Sequence, residues 1–164
     1  MSIIKVDDIQ STTAGAVGFS TLPAFHVYTS ETITLTTSYA AVLAGKMGST
    51  LLNQGSHFNN TTGKFTAPIA GVYNFGFACI GATGATVYRF RYYKNGSDFF
   101  NIEARFDNTN GGGSSFIDNA EHSVTLALAA SDTIELYGKS DDGTDLYTHS
   151  DSYRYVSFRG HLLG

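Results

Sequence analysis

The feature that most constrains the fold is an alternation of large apolar and smaller residues that recurs in short segments along the chain. In GVYNFGFACI (71–80), Tyr73, Phe75 and Phe77 fall on one side and smaller residues on the other. Side chains alternate between the two faces of a β-strand, whereas a helix repeats every 3.6 residues. The segment therefore indicates a strand with one buried face.

A second segment, TVYRFRYY (86–93), separates its side chains in the same way. One of its faces carries Tyr88, Phe90 and Tyr92, and the other carries Arg89, Arg91 and Tyr93. One aromatic row must fill the core, and another can pack against neighbouring copies, where buried aromatic side chains stabilise association. The sequence leaves open whether the row at 73, 75 and 77 or the row at 88, 90 and 92 contacts a neighbour.

Turn residues divide the rest of the chain into similar lengths. Lys94-Asn95-Gly96 is a tight-turn signal, and 38–47 is predicted to be an irregular or extended connection. Further strands are expected at 24–28, 32–37, 97–106, 116–128, 132–140 and 153–163, with a turn at Gly63 before Phe65. Eight to ten short antiparallel strands favour an all-β sandwich, of which a jelly roll is one form.

The composition limits the possible functions. The 164 residues suit one domain, and only 15% of them are charged, a low share that is understandable if part of the surface is hidden in an oligomer. The formal net charge of −4 disfavours a general attraction to nucleic acid or anionic membrane. No segment approaches the length of a membrane span, and the N-terminus has no signal-peptide core, so we expect synthesis in the cytoplasm and no membrane insertion.

Residues that would indicate catalysis are sparse. The histidines are scattered, at His26, His57, His122, His149 and His161, and none forms a His-x-x-x-His pair. There is no Gly-x-Ser-x-Gly motif, and Cys79 lies within a strand, where a buried and unreactive thiol is expected. We therefore predict that the protein is not an enzyme and needs no cofactor.

The connections between antiparallel strands alternate between the two ends of a sandwich, so three of them should gather opposite the C-terminus: 81–84, 107–115 and 140–152. Long polar loops on a rigid scaffold commonly carry binding sites. The predicted receptor-binding residues are Asp107, Asn108, Asn110, Asp141, Asp142, Asp145, Tyr147, His149, Asp151 and Tyr153. Asp141, Asp142 and Asp145 also offer oxygen ligands for calcium, although their spacing does not match an EF-hand.

The segment NQGSHFNNTTGKFTAPIAGVYNFGF (53–77) resembles the signature of the complement C1q globular-head family, which shares a trimeric jelly roll with tumour necrosis factor. The resemblance continues through Lys94-Asn95-Gly96, SVTLAL…SDTIEL and the terminal VSFRGHLL. It implies a homotrimeric domain over 23–164, with both termini at one end. The chain departs from the family pattern at Ala67, where many members have Cys, and at Ser131, where Gly is usual.

The opening IIKVDDIQSTTAG resembles the first segment of many bacteriophage structural and fibre proteins. It implies that 1–22 anchors the domain to other virion proteins, with Ile3, Ile4, Val6 and Ile9 as the apolar contacts. The sequence thus predicts a virion protein on a tail or short fibre that adheres to a glycan or protein of the host surface. The alternatives are a capsid decoration or head-fibre protein and, in another class, a free soluble lectin-like or signalling head.

Overall fold

The computed structural model describes residues 11–12, 16–17, 22–29, 31–80, 87–107, 119–143, 146 and 156–163. Within these ranges the regular structure is entirely β, and no helix long and apolar enough to cross a membrane is present. The strands are β1 Ser11–Thr12, β2 Ala16–Val17, β3 Ala24–Thr29, β4 Ala40–Ala41, β5 Ser49–Gln54, β6 Phe58–Asn59, β7 Lys64–Thr66, β8 Gly71–Ile80, β9 Val87–Lys94, β10 Ser97–Asp107, β11 Asn119–Leu128, β12 Thr133–Ser140 and β13 Val156–Leu162.

Two antiparallel sheets form the sandwich. The five-stranded sheet has the order β11-β8-β13-β3-β5. The six-stranded sheet has the order β10-β9-β12-β7-β6, with β4 also paired to β12, and β1 pairs with β2 separately. The predicted all-β sandwich is confirmed, and nine of the described strands are three residues or longer, within the predicted eight to ten.

Aromatic rings fill the space between the two sheets. Phe25 on the five-stranded sheet stacks on Phe58 and Phe65 of the facing sheet, with ring centroids 4.8 and 5.2 Å apart. Its ring also meets Phe158 edge-on at 5.1 Å and tilts against Phe75 at 6.3 Å. Offset and edge-to-face arrangements at these separations stabilise a core beyond the area that they bury.

Both aromatic rows predicted from the sequence lie in this core. Phe77 of the five-stranded sheet meets Phe90 of the other sheet at a centroid distance of 4.7 Å. The expectation that one row packs against neighbouring copies is wrong, because each of two facing sheets supplies its own row to the shared interior. The six residues, none more than 2% exposed, are Tyr73, Phe75, Phe77, Tyr88, Phe90 and Tyr92.

The strand at 71–80 is confirmed with the predicted bounds, but the strand expected at 32–37 is not found. Ile33 and Leu35 are buried as the alternation suggested, yet among the described residues the segment makes an isolated bridge from Ile33 to Leu146 and a backbone hydrogen bond from the Ser140 amide to the Thr36 carbonyl instead of a ladder. The alternation of buried and exposed side chains in 32–37 therefore does not require a paired β-strand. The segment 38–47 is irregular apart from the two residues of β4, as predicted.

The turn between β9 and β10 follows from its two central residues. Asn95 and Gly96 have φ values of 52° and 76°, the left-handed pair that closes a two-residue hairpin of type I′. Asn95 also holds the start of β12, because its side chain accepts a hydrogen bond from the Thr133 amide at 2.8 Å and donates to Asp132 at 2.8 Å. Lys94 adds an ion pair to Asp132 at 2.7 Å.

The two ends of the sandwich differ in the parts of the chain that lie there. At one end, here called the basal end, the Leu162 amide donates to the Pro23 carbonyl at 3.1 Å, so the first and last described parts of the domain meet there. The opposite, apical end borders 81–86, 108–118 and the stretch before β13. The strand ends that meet at the apical end are Thr29, Ile80, Val87, Asp107, Asn119, Ser140 and Val156.

Gly160 allows β13 to approach the aromatic core, which gives a test of the packing. A Cβ atom at this position would lie 2.6 Å from ring atoms of both Phe25 and Phe75. We expect Gly160→Ala to lower the free energy of unfolding by about 1–3 kcal/mol, measured by urea denaturation. Gly48→Ala is the matched control, since nothing lies within 4 Å of the added atom; equal stability losses in both variants would contradict the packing argument.

Candidate functional site

The outer face of the six-stranded sheet is occupied by a network of ion pairs. Glu103 on β10 lies at its centre and accepts hydrogen bonds from Tyr39, from Arg89 at 3.2 Å and from Arg91 at 3.0 Å. Arg91 also pairs with Asp98 at 2.6 Å. The register of β9 and β10 places Glu103 directly opposite Arg91, so the network fixes the orientation of these charged groups on this face.

Tyr39 joins the network from the connection before β4. The Arg91 guanidinium carbon lies 4.4 Å from the centre of its ring, within the range of a cation–π contact. Burial, followed by the hydrogen bond to Glu103, raises the pKa of Tyr39 to about 12. Burial acts to raise the pKa of Glu103, but hydrogen bonds from Tyr39, Arg91 and Arg89 outweigh it, so the pKa is lowered and Glu103 stays ionised.

Asp141, one of the predicted receptor-binding residues, belongs to the same network. The Arg89 guanidinium donates to both of its carboxylate oxygens at 3.1 Å, and Lys139 lies 3.4 Å from one of them. The hydrogen bonds from Arg89 lower the pKa of Asp141. Because both oxygens already accept from a guanidinium, this carboxylate is poorly placed for calcium, and the described residues contain no group of three potential metal ligands.

The outer face of the five-stranded sheet has the opposite character. Among the described side chains that point outward from it, only Arg159 and Glu121 carry a charge at neutral pH. On three of its five strands, β8, β11 and β13, the other described outward side chains are uncharged aliphatic or polar groups and His161. Besides His161 they are Val72, Asn74, Gly76, Ala78, Ser123, Thr125, Ala127 and Ser157. Low charge is typical of the buried part of a protein–protein interface.

Arg159 occupies the middle of this low-charge face. Its guanidinium lies flat over Gly76, where a Cβ atom would come within 2.9 Å of it, and it donates a hydrogen bond to Glu121. His26 stands directly opposite Arg159 on the adjacent strand, and His161 lies two residues further along β13 on the same face. Two histidines are therefore neighbours of Arg159 on this face, and Arg159 itself contacts Glu121.

The basal end exposes an apolar patch where the domain begins and ends. Leu22, Ile69, Val72 and Leu163 are 46%, 49%, 40% and 57% exposed. The Leu163 amide donates to the Val72 carbonyl at 2.7 Å, which holds the last described residue beside the start of strand β8. Exposed apolar clusters of this kind are typical of surfaces that contact another molecule.

The predicted receptor-binding residues are only partly described. Asp141 and Asp142 follow β12 at the apical end and are exposed, and Asp107 is the last residue of β10. The residues Asn108, Asn110, Asp145, Tyr147, His149, Asp151 and Tyr153 lie outside the described residues, as do the predicted anchoring residues Ile3, Ile4, Val6 and Ile9. Their roles stay predictions.

Residues 24–163 match the C1q domain. The chain belongs to the C1q domain family. Members of this family and their tumour-necrosis-factor-like relatives form homotrimers, often bind ligands and are generally non-enzymatic binding modules.

Solved structures agree at the level of the fold. The globular domain of zebrafish complement 1qA is 22% identical, over 87% of this chain and 98% of that one, with a TM-score of 0.61. Murine APRIL at pH 8.5 is 10% identical, over 86% of this chain and 99% of that one, with a TM-score of 0.57. The resemblance inferred from the sequence is thus confirmed for the C1q-like jelly roll.

The departure from the family pattern at Ser131 has a structural consequence. Ser131 adopts φ of 70°, a left-handed conformation that glycine takes without steric strain and that costs other residues roughly 1 kcal/mol. The Ser131 amide donates to the Ala67 carbonyl at 2.7 Å, and the Asp132 carboxylate accepts from the Ala129 amide at 2.7 Å. These two hydrogen bonds hold the turn, although serine and not glycine occupies its left-handed position.

Several residues of the two outer faces were not identified from the sequence. The alternation in β9 separates Arg89 and Arg91 from the core, but the carboxylates that pair with them lie on other strands. Nothing in the sequence around Tyr39, which lies in an irregular connection, indicated that it would join this network. Only the register of the sheets brings these groups together, and the same holds for Arg159 and Glu121.

His122 gives a test of stability against pH. Its Nδ1 is buried and, among the described residues, has no hydrogen-bond partner, and burial lowers the pKa of this imidazole. The folded chain therefore binds this proton less readily than the unfolded chain. The resulting stability is complete above the unfolded value of about pH 6.5 and declines as the pH falls from there towards the lowered folded pKa.

We expect the free energy of unfolding to fall between about pH 7.5 and 5.5, with a slope of at most about 1.4 kcal/mol per pH unit from this group. Urea denaturation at several pH values measures the slope. His122→Gln should reduce it, because the variant side chain does not titrate. An equal slope in the variant would assign the pH dependence to other groups.

Proposed function

We propose that this C1q-domain chain acts as a homotrimer in which the low-charge face of the five-stranded sheet packs against neighbouring copies. The contrast between the two outer faces carries the proposal. The six-stranded sheet presents a network that includes Arg89, Arg91 and Glu103, whereas the described outward side chains of the five-stranded sheet are mostly uncharged and include one ion pair, Arg159–Glu121. Leaving charges out of the contact avoids the cost of removing them from water.

The proposed setting of the trimer is a bacteriophage particle. The resemblance of the opening segment IIKVDDIQSTTAG to phage structural proteins supports it, with residues 1–22 as the attachment to other virion proteins. The basal patch of Leu22, Ile69, Val72 and Leu163 adds support, since this apolar surface lies where that segment joins the domain. Attachment through the basal end points the apical end outward.

The proposed work of the particle-bound trimer is adhesion to the host surface, with a glycan as the favoured receptor and a tail or short fibre as the favoured place. The strand ends that border the three predicted loops share the apical end, away from Pro23 and Leu162. A loop cluster on a rigid sandwich is a common arrangement for binding. Placement on the capsid as a decoration protein is the other location that the tests below distinguish.

Deleting residues 1–22 tests the attachment. We expect the truncated chain to fold and to form the same trimer as the full chain, because the core and the two sheets of the sandwich begin after this segment, at β3. It should be absent from purified particles when it competes with the full chain during assembly. Gold-labelled antibody on particles with the full chain distinguishes a tail or fibre location from the capsid, and normal incorporation of the truncated chain would contradict the anchoring role.

Replacing Asp142 and Asp145 together by Ala tests the apical end. Asp142 is exposed, and the sequence predicts the same loop for Asp145. Substitutions in exposed loops usually change stability by no more than about 0.5 kcal/mol, so the melting temperature should hardly move. Adhesion of the trimer to host cells should fall at least about tenfold, measured by surface plasmon resonance or cell binding. Asp141→Ala removes another predicted binding residue together with its pair to Arg89. Unchanged adhesion in both variants would contradict an apical receptor site.

A further inference from the structure

We infer that Asn95 is a deamidation site that the folded domain protects and that the unfolded chain leaves open to reaction. Deamidation replaces the side-chain amide of asparagine by a carboxylate. Reaction at this position makes unfolding of the domain progressively irreversible, because the product cannot rebuild the contacts that Asn95 makes with β12. The inference concerns the single chain and is independent of the proposed trimer and of its receptor.

The residue that follows Asn95 favours the reaction. In deamidation the backbone nitrogen of the next residue attacks Cγ of the asparagine, so that a new C–N bond forms, the Cγ–Nδ2 bond breaks, and ammonia leaves with the proton of the attacking nitrogen. Water then opens the cyclic succinimide at either carbonyl group and leaves aspartate or isoaspartate, so no other reactant is needed. Glycine hinders the attack least, since it has no Cβ atom. In this sequence only Asn95 and Asn110 are followed by glycine.

Solvent has free access to the turn between β9 and β10. Asn95 and Gly96 are both exposed, and nothing lies within 4 Å of the position that a Cβ atom of Gly96 would take. Water can therefore reach both residues, and so can the hydroxide that removes the Gly96 amide proton. Protection of Asn95 must come from the contacts that hold its side chain in place.

Both polar atoms of the Asn95 side chain are bound to the start of β12. Oδ1 accepts a hydrogen bond from the Thr133 amide at 2.8 Å, and Nδ2 donates to the Asp132 carboxylate at 2.8 Å. The Asn95 backbone amide also donates to the Thr133 carbonyl at 3.0 Å. Because the side-chain amide is held at both of its polar atoms by another part of the chain, Cγ can turn towards the Gly96 nitrogen only after these two side-chain bonds break.

Asp132 holds the asparagine amide without assisting the departure of ammonia. Hydrogen bonds from Lys94, followed by those from Asn95, lower the pKa of Asp132 to about 2, so its carboxyl group is ionised at neutral pH. An ionised carboxylate accepts the Nδ2 proton but has no proton to give to the leaving group. After deamidation a second carboxylate would face Asp132, and like charges at this distance repel each other.

Peptide mass spectrometry of the chain incubated at neutral pH tests the inference. One sample stays folded and another is unfolded in guanidinium chloride, and fragment ions separate Asn95 from Asn101. We expect Asn95 to react at least about tenfold more slowly in the folded chain, because two hydrogen bonds must break first. Equal rates at Asn95 in the two samples would overturn the inference, and so would an unfolded chain in which Asn110 reacts and Asn95 does not.

Two variants around Asp132 assign the protection. Asp132→Ala removes the acceptor of Nδ2, and we expect Asn95 in the folded variant to react at least about threefold faster than in the folded parent chain. Lys94→Ala is the matched control, because it removes the other partner of the same carboxylate, at 2.7 Å, and keeps both side-chain bonds of Asn95. Circular dichroism verifies that each variant is folded. Equal acceleration in both variants would contradict the role of the bond to Asp132.

Asn95→Asp tests the consequence of the reaction, since it carries one of the two products. Its carboxylate keeps an oxygen for the Thr133 amide but cannot donate to Asp132. We expect the ratio of folded to unfolded chain, measured by urea denaturation, to fall at least about tenfold relative to the parent chain, because one hydrogen bond is lost and two like charges are brought together. A variant as stable as the parent chain would overturn the inferred irreversibility.

Discussion

The aromatic contact between the two sheets is the interaction on which the rest of the structure depends. Phe25, Phe65, Phe75 and Phe158 meet across the interior at centroid distances between 5.1 and 6.3 Å. Gly160 leaves the space that lets two of these rings approach β13. Because rings from both sheets interlock there, each sheet has one face committed to the core and only one face left for contacts with other molecules.

The outer faces of the two sheets differ in charge. On the six-stranded sheet, Arg89, Arg91 and Glu103 hold one another and tie Asp141 at the apical end to the sheet. On the five-stranded sheet, Arg159 and Glu121 are the one described ion pair among small side chains. A charged, internally paired face is suited to remain in water, and a face with few charges is suited to be covered. This division links the fold to assembly and leaves the apical end for binding.

Local patterns in the sequence predicted much of the fold. The strand at 71–80 and the hairpin turn at Asn95–Gly96 are found where they were expected, because alternation and left-handed turn residues act over a few neighbouring positions. The segment 32–37 shows the limit of this reasoning. Burial alternates there at Ile33 and Leu35, but a strand also needs a partner of matching register, which a single segment does not specify.

By itself, then, the sequence determined the class of fold, the family and the position of several strands, β8 among them, since these follow from periodicity, turn residues and motifs that are local in the chain. Only the tertiary structure decided that both aromatic rows fill one core and that Arg89 holds Asp141. It also decided that Arg159 stands beside His26 and Glu121. These neighbours are far apart in the sequence, and pairing between strands alone brings them into contact.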